Sequence, residues 1–314
     1  MSSAKQAVSK NPGRNLARGF SLGLTAYFIW GSFPLIIVAL GFASPTEIVA
    51  WRVIFGFLTA ISLITITKSW KPFREVFRSR SNVLWVATSG FLIFINWMVY
   101  VIAVANHQTE EAALGYFINP LLTIVLAVLF LGERLSKFQW VAVGFGLIAG
   151  VVLTIDYGHP PYIALSLAAS FGIYGLAKNK LGGKVDAVHS FALESGFVLP
   201  LAILILGFVA TGSGIQFMDA GAAGAIGLAA YGALTAIPLI LFGVAAKHLP
   251  LRFIGFMQYL TPSIQFVIAL AVFHEPMPAV RWIGFGLVWI GSAVLIFEAI
   301  RIRATANVRE GKID

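Results

Sequence analysis

Apolar residues run along this chain in long blocks cut by short polar segments, rather than alternating strictly or recurring every third and fourth position. Each block is close to the roughly 20 residues that a helix needs to cross a bilayer core at 1.5 Å rise per residue. The clear blocks are residues 20–40, 46–66, 83–103, 112–131, 188–209, 225–246, 253–273 and 282–297. A further apolar stretch, 140–177, would be about 57 Å long as one helix. That is too long for one crossing. Asp156-Tyr157-Gly158-His159-Pro160-Pro161 interrupts it, and Gly and Pro in such a cluster favour a turn. Two helices, 140–155 and 162–177, are therefore predicted, giving ten spans.

Composition agrees. Of 314 residues, 59% are hydrophobic and 11% charged, against about 25% charged in soluble domains. Mean hydropathy is +0.88. These values exclude a disordered chain or an ordinary soluble enzyme. The absence of cysteine excludes disulfides and thiolate metal sites. The first block follows a basic tail, but it is longer than the roughly 7–15 residues of a signal-peptide core and more spans follow, so it is expected to be retained.

The net charge of +9 invites a nucleic-acid reading. Its distribution argues against one. With the N-terminus placed in the cytoplasm, the N-tail, every second connection and the C-tail hold 20 of the 22 Lys and Arg residues. Only Arg52 and Arg281 fall elsewhere. The opposite connections carry Glu110, Glu111, Asp156, Asp219 and Glu275. This is the positive-inside pattern, with both termini cytoplasmic. One long helix over 140–177 would put Lys178, Lys180 and Lys184 on the wrong side.

The chain also repeats itself. A shift of 142 residues aligns Gly90 with Gly232, Pro120 with Pro262, Glu133 with Glu275, Trp140 with Trp282 and Gly144 with Gly286. Earlier in each half the offset drifts: Trp30-Gly31 matches Tyr174-Gly175, and Glu47 matches Glu194. Five spans per half is odd, so the second half enters the membrane in the opposite sense, an arrangement frequent in secondary transporters. The expected fold is an all-α integral membrane protein with ten transmembrane helices as two inverted five-helix repeats. Residues 1–17 form a tail, 18–155 the first repeat, 156–302 the second and 303–314 a second tail.

Several segments together carry a family resemblance. They are Ala26-Tyr27-Phe28-Ile29-Trp30-Gly31, the run from Glu47 to Arg52, Asn96-Trp97, and Leu114-Gly115-Tyr116-Phe117-Ile118-Asn119-Pro120. Leu131-Gly132-Glu133-Arg134 and Gln258-Tyr259-Leu260-Thr261-Pro262 complete the set. In this order they resemble the EamA-type members of the drug/metabolite transporter superfamily, and within it the RarD group, over nearly all of the chain outside the tails. The resemblance implies a multi-pass protein of the bacterial inner membrane, with ten helices around a central cavity, that exports metabolites or drugs. One departure is visible. The second-half counterpart of Gly132-Glu133-Arg134 is His274-Glu275-Pro276, which keeps only the acid.

Ionisable side chains inside spans are costly and mark cavities or partners. Glu47, Arg52 and Glu194 qualify. Glu47 lies near a span end, as a membrane-interface carboxylate or a coupling group. Arg52 lies deeper and about 140° around the helix from Glu47, so it reaches another helix, a carbonyl or an anionic substrate group. Glu194 is either a proton carrier or a carboxylate bonded to a neighbouring helix. Pro120 and Pro262 each remove a helix hydrogen bond and free a carbonyl, at Tyr116 and Gln258. Such breaks often line transport sites. Tyr27, Trp30, Asn96, Trp97, Tyr116, Asn119, Tyr174, Gln258 and Tyr259 join Arg52 as candidate cavity residues for a small amphipathic ligand. Trp85, Trp140 and Trp282 suit the membrane interface. Gly144, Gly146, Gly150, Gly284, Gly286 and Gly291 permit close helix approach, within the bundle or in a homodimer.

No phosphate loop, HExxH or GxSxG motif is present, and the His residues are scattered. No catalytic residues, metal or cofactor are expected. The expected partners are the lipid bilayer, a small-molecule substrate, protons as the coupling ion and a second copy of the chain, but not nucleic acid. The reading is a secondary transporter working by alternating access. A membrane-embedded enzyme lacks its constellation here. A non-transporting scaffold does not need mid-span Glu and Arg.

Overall fold

The computed structural model describes residues 12–131, 134–181, 185–249 and 257–310. Among these residues every regular element is helical. In chain order they are α1 (Pro12–Gly31), α2 (Phe33–Ala39), α3 (Pro45–Ile66), α4 (Trp70–Glu75), α5 (Arg80–Ala105), α6 (Thr109–Leu131), α7 (Lys137–Tyr157), α8 (Tyr162–Leu181), α9 (Ala187–Thr211), α10 (Gln216–Asp219), α11 (Gly221–His248), α12 (Leu260–Ala271) and α13 (Ala279–Glu310). A single 3-10 turn, Val76–Arg78, follows α4.

Local chemistry sets the helix starts. The Ser44 hydroxyl accepts from the Glu47 N–H and Pro45 opens α3. Ser79 and Asp186 cap α5 and α9 in the same way. Ser136 and Gln139 form a reciprocal capping box on α7. Gly158, at φ +72°, ends α7 in the left-handed region, and α8 begins just after Pro160 and Pro161. The break predicted inside residues 140–177 is therefore present.

Eight helices are long and apolar enough to cross a membrane, and Tyr162–Lys178 and Leu260–Ala271 are shorter apolar helices. Large apolar side chains such as Phe28, Ile66, Leu84, Leu129 and Phe208 lie exposed around the outside. Water would penalise that surface and lipid does not. The chain is a multi-pass all-α membrane protein.

Four local features add to the expected spans or differ from them. The first span, Ala17–Ala39, has an interrupted helix. It stops at Gly31 and restarts at Phe33, because Pro34 in the next turn has no N–H to continue the ladder. The connection after α3 is not plain loop. It holds α4 and the 3-10 turn, with Trp70, Phe73 and Phe77 spaced between Lys71, Arg74 and Arg78. Pro262 does not kink a continuous helix. Gln258 and Tyr259 form a turn, α12 starts at Leu260, and Pro262 sits in its first turn, where a missing N–H costs nothing. Pro120 does lie inside α6, as do Pro200 in α9 and Pro238 in α11. Finally, helix extends into both presumed tails, from Pro12 and to Glu310. Gly132, Glu133 and Lys184 lie outside the described residues.

Helix pairing is extensive. α7 packs on α13, α3 on α9, α6 on α8, α5 on α8, α1 on α11 and α3 on α11, with further contacts between α5 and α9, α6 and α12, and α1 and α12. Small residues permit the closest crossings. A Cβ on Gly90 of α5 would lie 2.7 Å from the Glu194 carbonyl of α9. A Cβ on Gly232 of α11 would lie 2.6 Å from Phe55 Cβ and 3.1 Å from the Arg52 carbonyl of α3. Gly284 meets Leu153 across the α7–α13 pair, whereas Gly144, Gly150 and Gly286 face open space.

Candidate functional site

Arg52 is 4% exposed in the interior of α3. Its Nε donates to Thr235 Oγ1 at 3.1 Å and its Nη1 to the Tyr231 hydroxyl at 3.0 Å, both on α11. The guanidinium carbon stands 4.3 Å from the Trp97 ring centre, 5.1 Å from Tyr231 and 5.3 Å from Phe33. These contacts hold a cation against aromatic faces. Among the described residues the ion pairs are Lys178–Glu194, His189–Asp186, Arg281–Glu110 and Arg281–Asp156, so Arg52 is in none of them.

Further polar groups surround it. Tyr100, one turn beyond Trp97 on α5, accepts from Gln265 Nε2 of α12 at 2.9 Å, and its ring meets Tyr116 of α6 edge-on at 5.8 Å. The Tyr116 hydroxyl donates to Asn96 Oδ1 at 3.0 Å. Asn96 Nδ2 in turn donates to the Leu167 carbonyl and the Ser170 hydroxyl of α8, at 3.1 and 3.0 Å. Asn96 thus uses both its amide donation and its oxygen, and ties three helices together. Gln265 is less well satisfied: it is 2% exposed and its Oε1 has no partner among the described residues. Tyr231 also lines an open apolar groove of about 840 Å3 between α2 and α11, with Leu35, Ala39, Phe42, Ala223 and Gly227 among its walls.

The other ionisable residues are engaged. Glu194 accepts from Lys178 Nζ at 2.7 Å, from Ser190 at 2.8 Å and from Tyr174 at 3.4 Å. Glu47, fully buried, accepts from the N–H groups of Gln216 and Phe217 and from the Trp51 indole. Glu111 receives the N–H groups of Ile163 and Ala164 at the start of α8, and Glu275 those of Thr109 and Glu110 at the start of α6. Three buried carboxylates thus occupy the N–H ends of helical segments, where orphan donors and the helix dipole favour negative charge. Burial alone would raise the Glu275 carboxyl, but the hydrogen bonds donated by the Thr109 and Glu110 N–H groups outweigh it and hold Glu275 below the usual carboxylate range. Arg281 bonds Glu110 and Asp156, each at 2.9 Å. The two basic residues that broke the charge pattern therefore differ: Arg281 is fully paired with acids and Arg52 is not.

The chain matches known proteins over most of its length. The EamA-like transporter family matches residues 17–155. Protein RarD of Streptomyces exfoliatus is 40% identical over 93% of this chain and 92% of that protein. An uncharacterized transporter of Pseudomonas aeruginosa is 38% identical over 91% and 96%, and protein RarD of Escherichia coli 35% over 90% and 95%. The chain belongs to the RarD proteins of the drug/metabolite transporter superfamily. A solved crystal structure, 21% identical over 91% of this chain and 99% of that one, has the same fold at a TM-score of 0.56.

In this transporter the structure brings together Arg52, Trp97, Tyr116 and Asn96 of the expected cavity residues. Tyr27 and Trp30 form a separate aromatic group with Phe242 of α11. Tyr174 faces Glu194. Tyr259 stacks on Phe117, 6.4 Å away, while Gln258 is exposed in its turn and joins no buried cluster. Asn119 Oδ1 is buried without a partner among the described residues, close to Gly172 of α8. Phe33, Tyr231, Thr235, Gln265 and Lys178 were not anticipated. A signal existed for three of them. Tyr231 and Thr235 are a polar pair four residues apart in the middle of a helix built mostly of Ala, Gly, Leu and Ile, and Gln265 is a lone amide in an apolar run. Lys178 was counted as loop charge, and it lies in the last turn of α8.

Proposed function

We propose that this transporter is an alternating-access exporter of small amphipathic metabolites or drugs in the bacterial inner membrane, with its substrate site at Arg52. The observation that carries this reading is that one buried, acid-free guanidinium is surrounded by residues of both halves of the chain. Phe33, Arg52, Trp97, Tyr100 and Tyr116 come from the first half, and Tyr231, Thr235 and Gln265 from the second. A site shared by two halves opens to alternate sides when they rock against each other.

The pairing of helices supports ten spans in two inverted repeats. Exchanging each span for its counterpart in the other half turns the α1–α11 contact into the α8–α5 contact, and α1–α12 into α8–α6. The α3–α9, α6–α12 and α7–α13 pairs map onto themselves. The placement of basic residues along the sequence supports the orientation.

Glu194 is the proposed proton carrier. Protonation would remove its charge and leave Lys178 without its counter-ion, so proton arrival and opening of that contact would be one event. Glu47 is held by three donors and serves as a cap.

The test is a comparison of metabolites in the medium of overexpressing and deletion cells, followed by flux of any differing compound into vesicles holding the purified protein. Flux driven by a proton gradient is expected, and Glu194→Gln should abolish the dependence on the gradient while leaving counterflow. Vesicles that move none of the differing compounds would remove the carrier reading.

A further inference from the structure

Resting on the carrier reading, we infer that the substrates are organic anions with an aromatic or apolar body and a second hydrogen-bonding group. Arg52 would bind the anion and Gln265 the polar group. Two independent features of the interior lead there.

The first is charge. A guanidinium about two turns into a span is costly without a counter-ion. The acids whose side chains are described are committed elsewhere or remote. Glu47, Glu111 and Glu275 hold helix starts, Glu194 holds Lys178, and Glu110 and Asp156 hold Arg281. Arg52 is therefore left with two neutral hydroxyls and aromatic faces, which solvate the cation without neutralising it. Among the described residues only two of its five donors find a partner. Arginine presents the rest as a planar fork that fits a carboxylate, phosphate or sulfonate.

The second feature is the Gln265 amide. Its Nε2 is bonded to Tyr100, and its Oε1 has no partner among the described residues. The Tyr100 hydroxyl donates as well as accepts, so turning the amide over leaves the NH2 free instead. In either orientation a buried polar group lacks a partner, a cost that a ligand removes on binding. Tyr100 links the two features, since it sits one turn from Trp97, which faces Arg52. Trp97 and Phe33 supply the apolar surface beside the charge.

The experiment uses the full chain purified in a neutral detergent. Binding of aryl carboxylates of increasing length (benzoate, phenylacetate and 4-phenylbutyrate) is measured by tryptophan fluorescence and calorimetry, each beside its primary amide. At least one acid is expected to bind about tenfold or more tighter than its amide. Arg52→Gln should erase that preference and Arg52→Lys should keep part of it. Gln265→Leu should weaken hydroxylated acids such as 4-hydroxyphenylacetate more than the unsubstituted ones. The acid-to-amide ratio of the unaltered protein decides the matter even if a variant fails to fold. Equal binding of acids and amides, or no binding of any acid, overturns the inference. So does a response reproduced by phosphatidylglycerol alone, which would make Arg52 a lipid-headgroup contact. The carrier reading is scored separately by flux. Transport of neutral compounds only would refute the anion and leave the carrier.

Discussion

Replacing Gly232 by alanine tests whether the α3–α11 crossing holds the Arg52 site together. The new Cβ would lie 2.6 Å from Phe55 Cβ and 3.1 Å from the Arg52 carbonyl, where carbon atoms rest at about 3.5–4.0 Å. Neither obstacle is the end of a flexible side chain, so relief requires the two helices to separate by roughly 1 Å. The Arg52 bonds to Tyr231 and Thr235, now 3.0 and 3.1 Å, would stretch beyond hydrogen-bonding range. Overpacking of this kind costs about 1–3 kcal/mol. The control is Gly286→Ala on α13, whose Cβ meets nothing, and which should be neutral or gain up to about 1 kcal/mol of helix propensity. Gly90→Ala, the counterpart 142 positions earlier, faces the Glu194 backbone at 2.7 Å and should behave like Gly232→Ala. Thermal unfolding of the purified proteins in detergent, followed by tryptophan emission, gives the ranking. If Gly232→Ala melts with Gly286→Ala, the crossing is not as tight as stated and the account of how Arg52 is positioned fails.

Other consequences can be measured in the same preparation. Arg281→Met leaves the buried Glu110 and the partly buried Asp156 without their cation and should destabilise by roughly 3–5 kcal/mol; a shift below about 1 kcal/mol would show the network to be an exposed-type pair. Asn96→Leu deletes the tie among α5, α6 and α8, and a double-mutant cycle with Tyr116→Phe should return about 0.6–1.7 kcal/mol of coupling; zero coupling would mean the hydroxyl is bonded elsewhere. Glu275 has a depressed pKa in the folded state, so its contribution is present above the unfolded value of about 4.3 and is lost as pH falls through the folded value. Melting of the unaltered protein should therefore fall towards that of Glu275→Gln below about pH 4, and parallel curves from pH 7 to pH 3 would contradict the assignment.

Much of this protein follows from its sequence alone. Block length announced membrane helices, and Gly158, Pro160 and Pro161 announced the turn that splits the longest block. The placement of Lys and Arg separated Arg52 and Arg281 from the other basic residues. These features are local or depend on a single count along the chain. The partners of those residues were not legible. Arg52 meets Tyr231 and Thr235 some 180 positions away, and Glu47 caps the segment at Gln216. In a soluble helix the apolar stripe marks the inward face. Here lipid and core are equally apolar, so no stripe tells which side of α3, α5 or α11 turns inward. Periodicity fixed where the helices lie in the chain. Only packing at glycines such as Gly90 and Gly232 fixed their rotation and depth, and with them which cation was left without an acid.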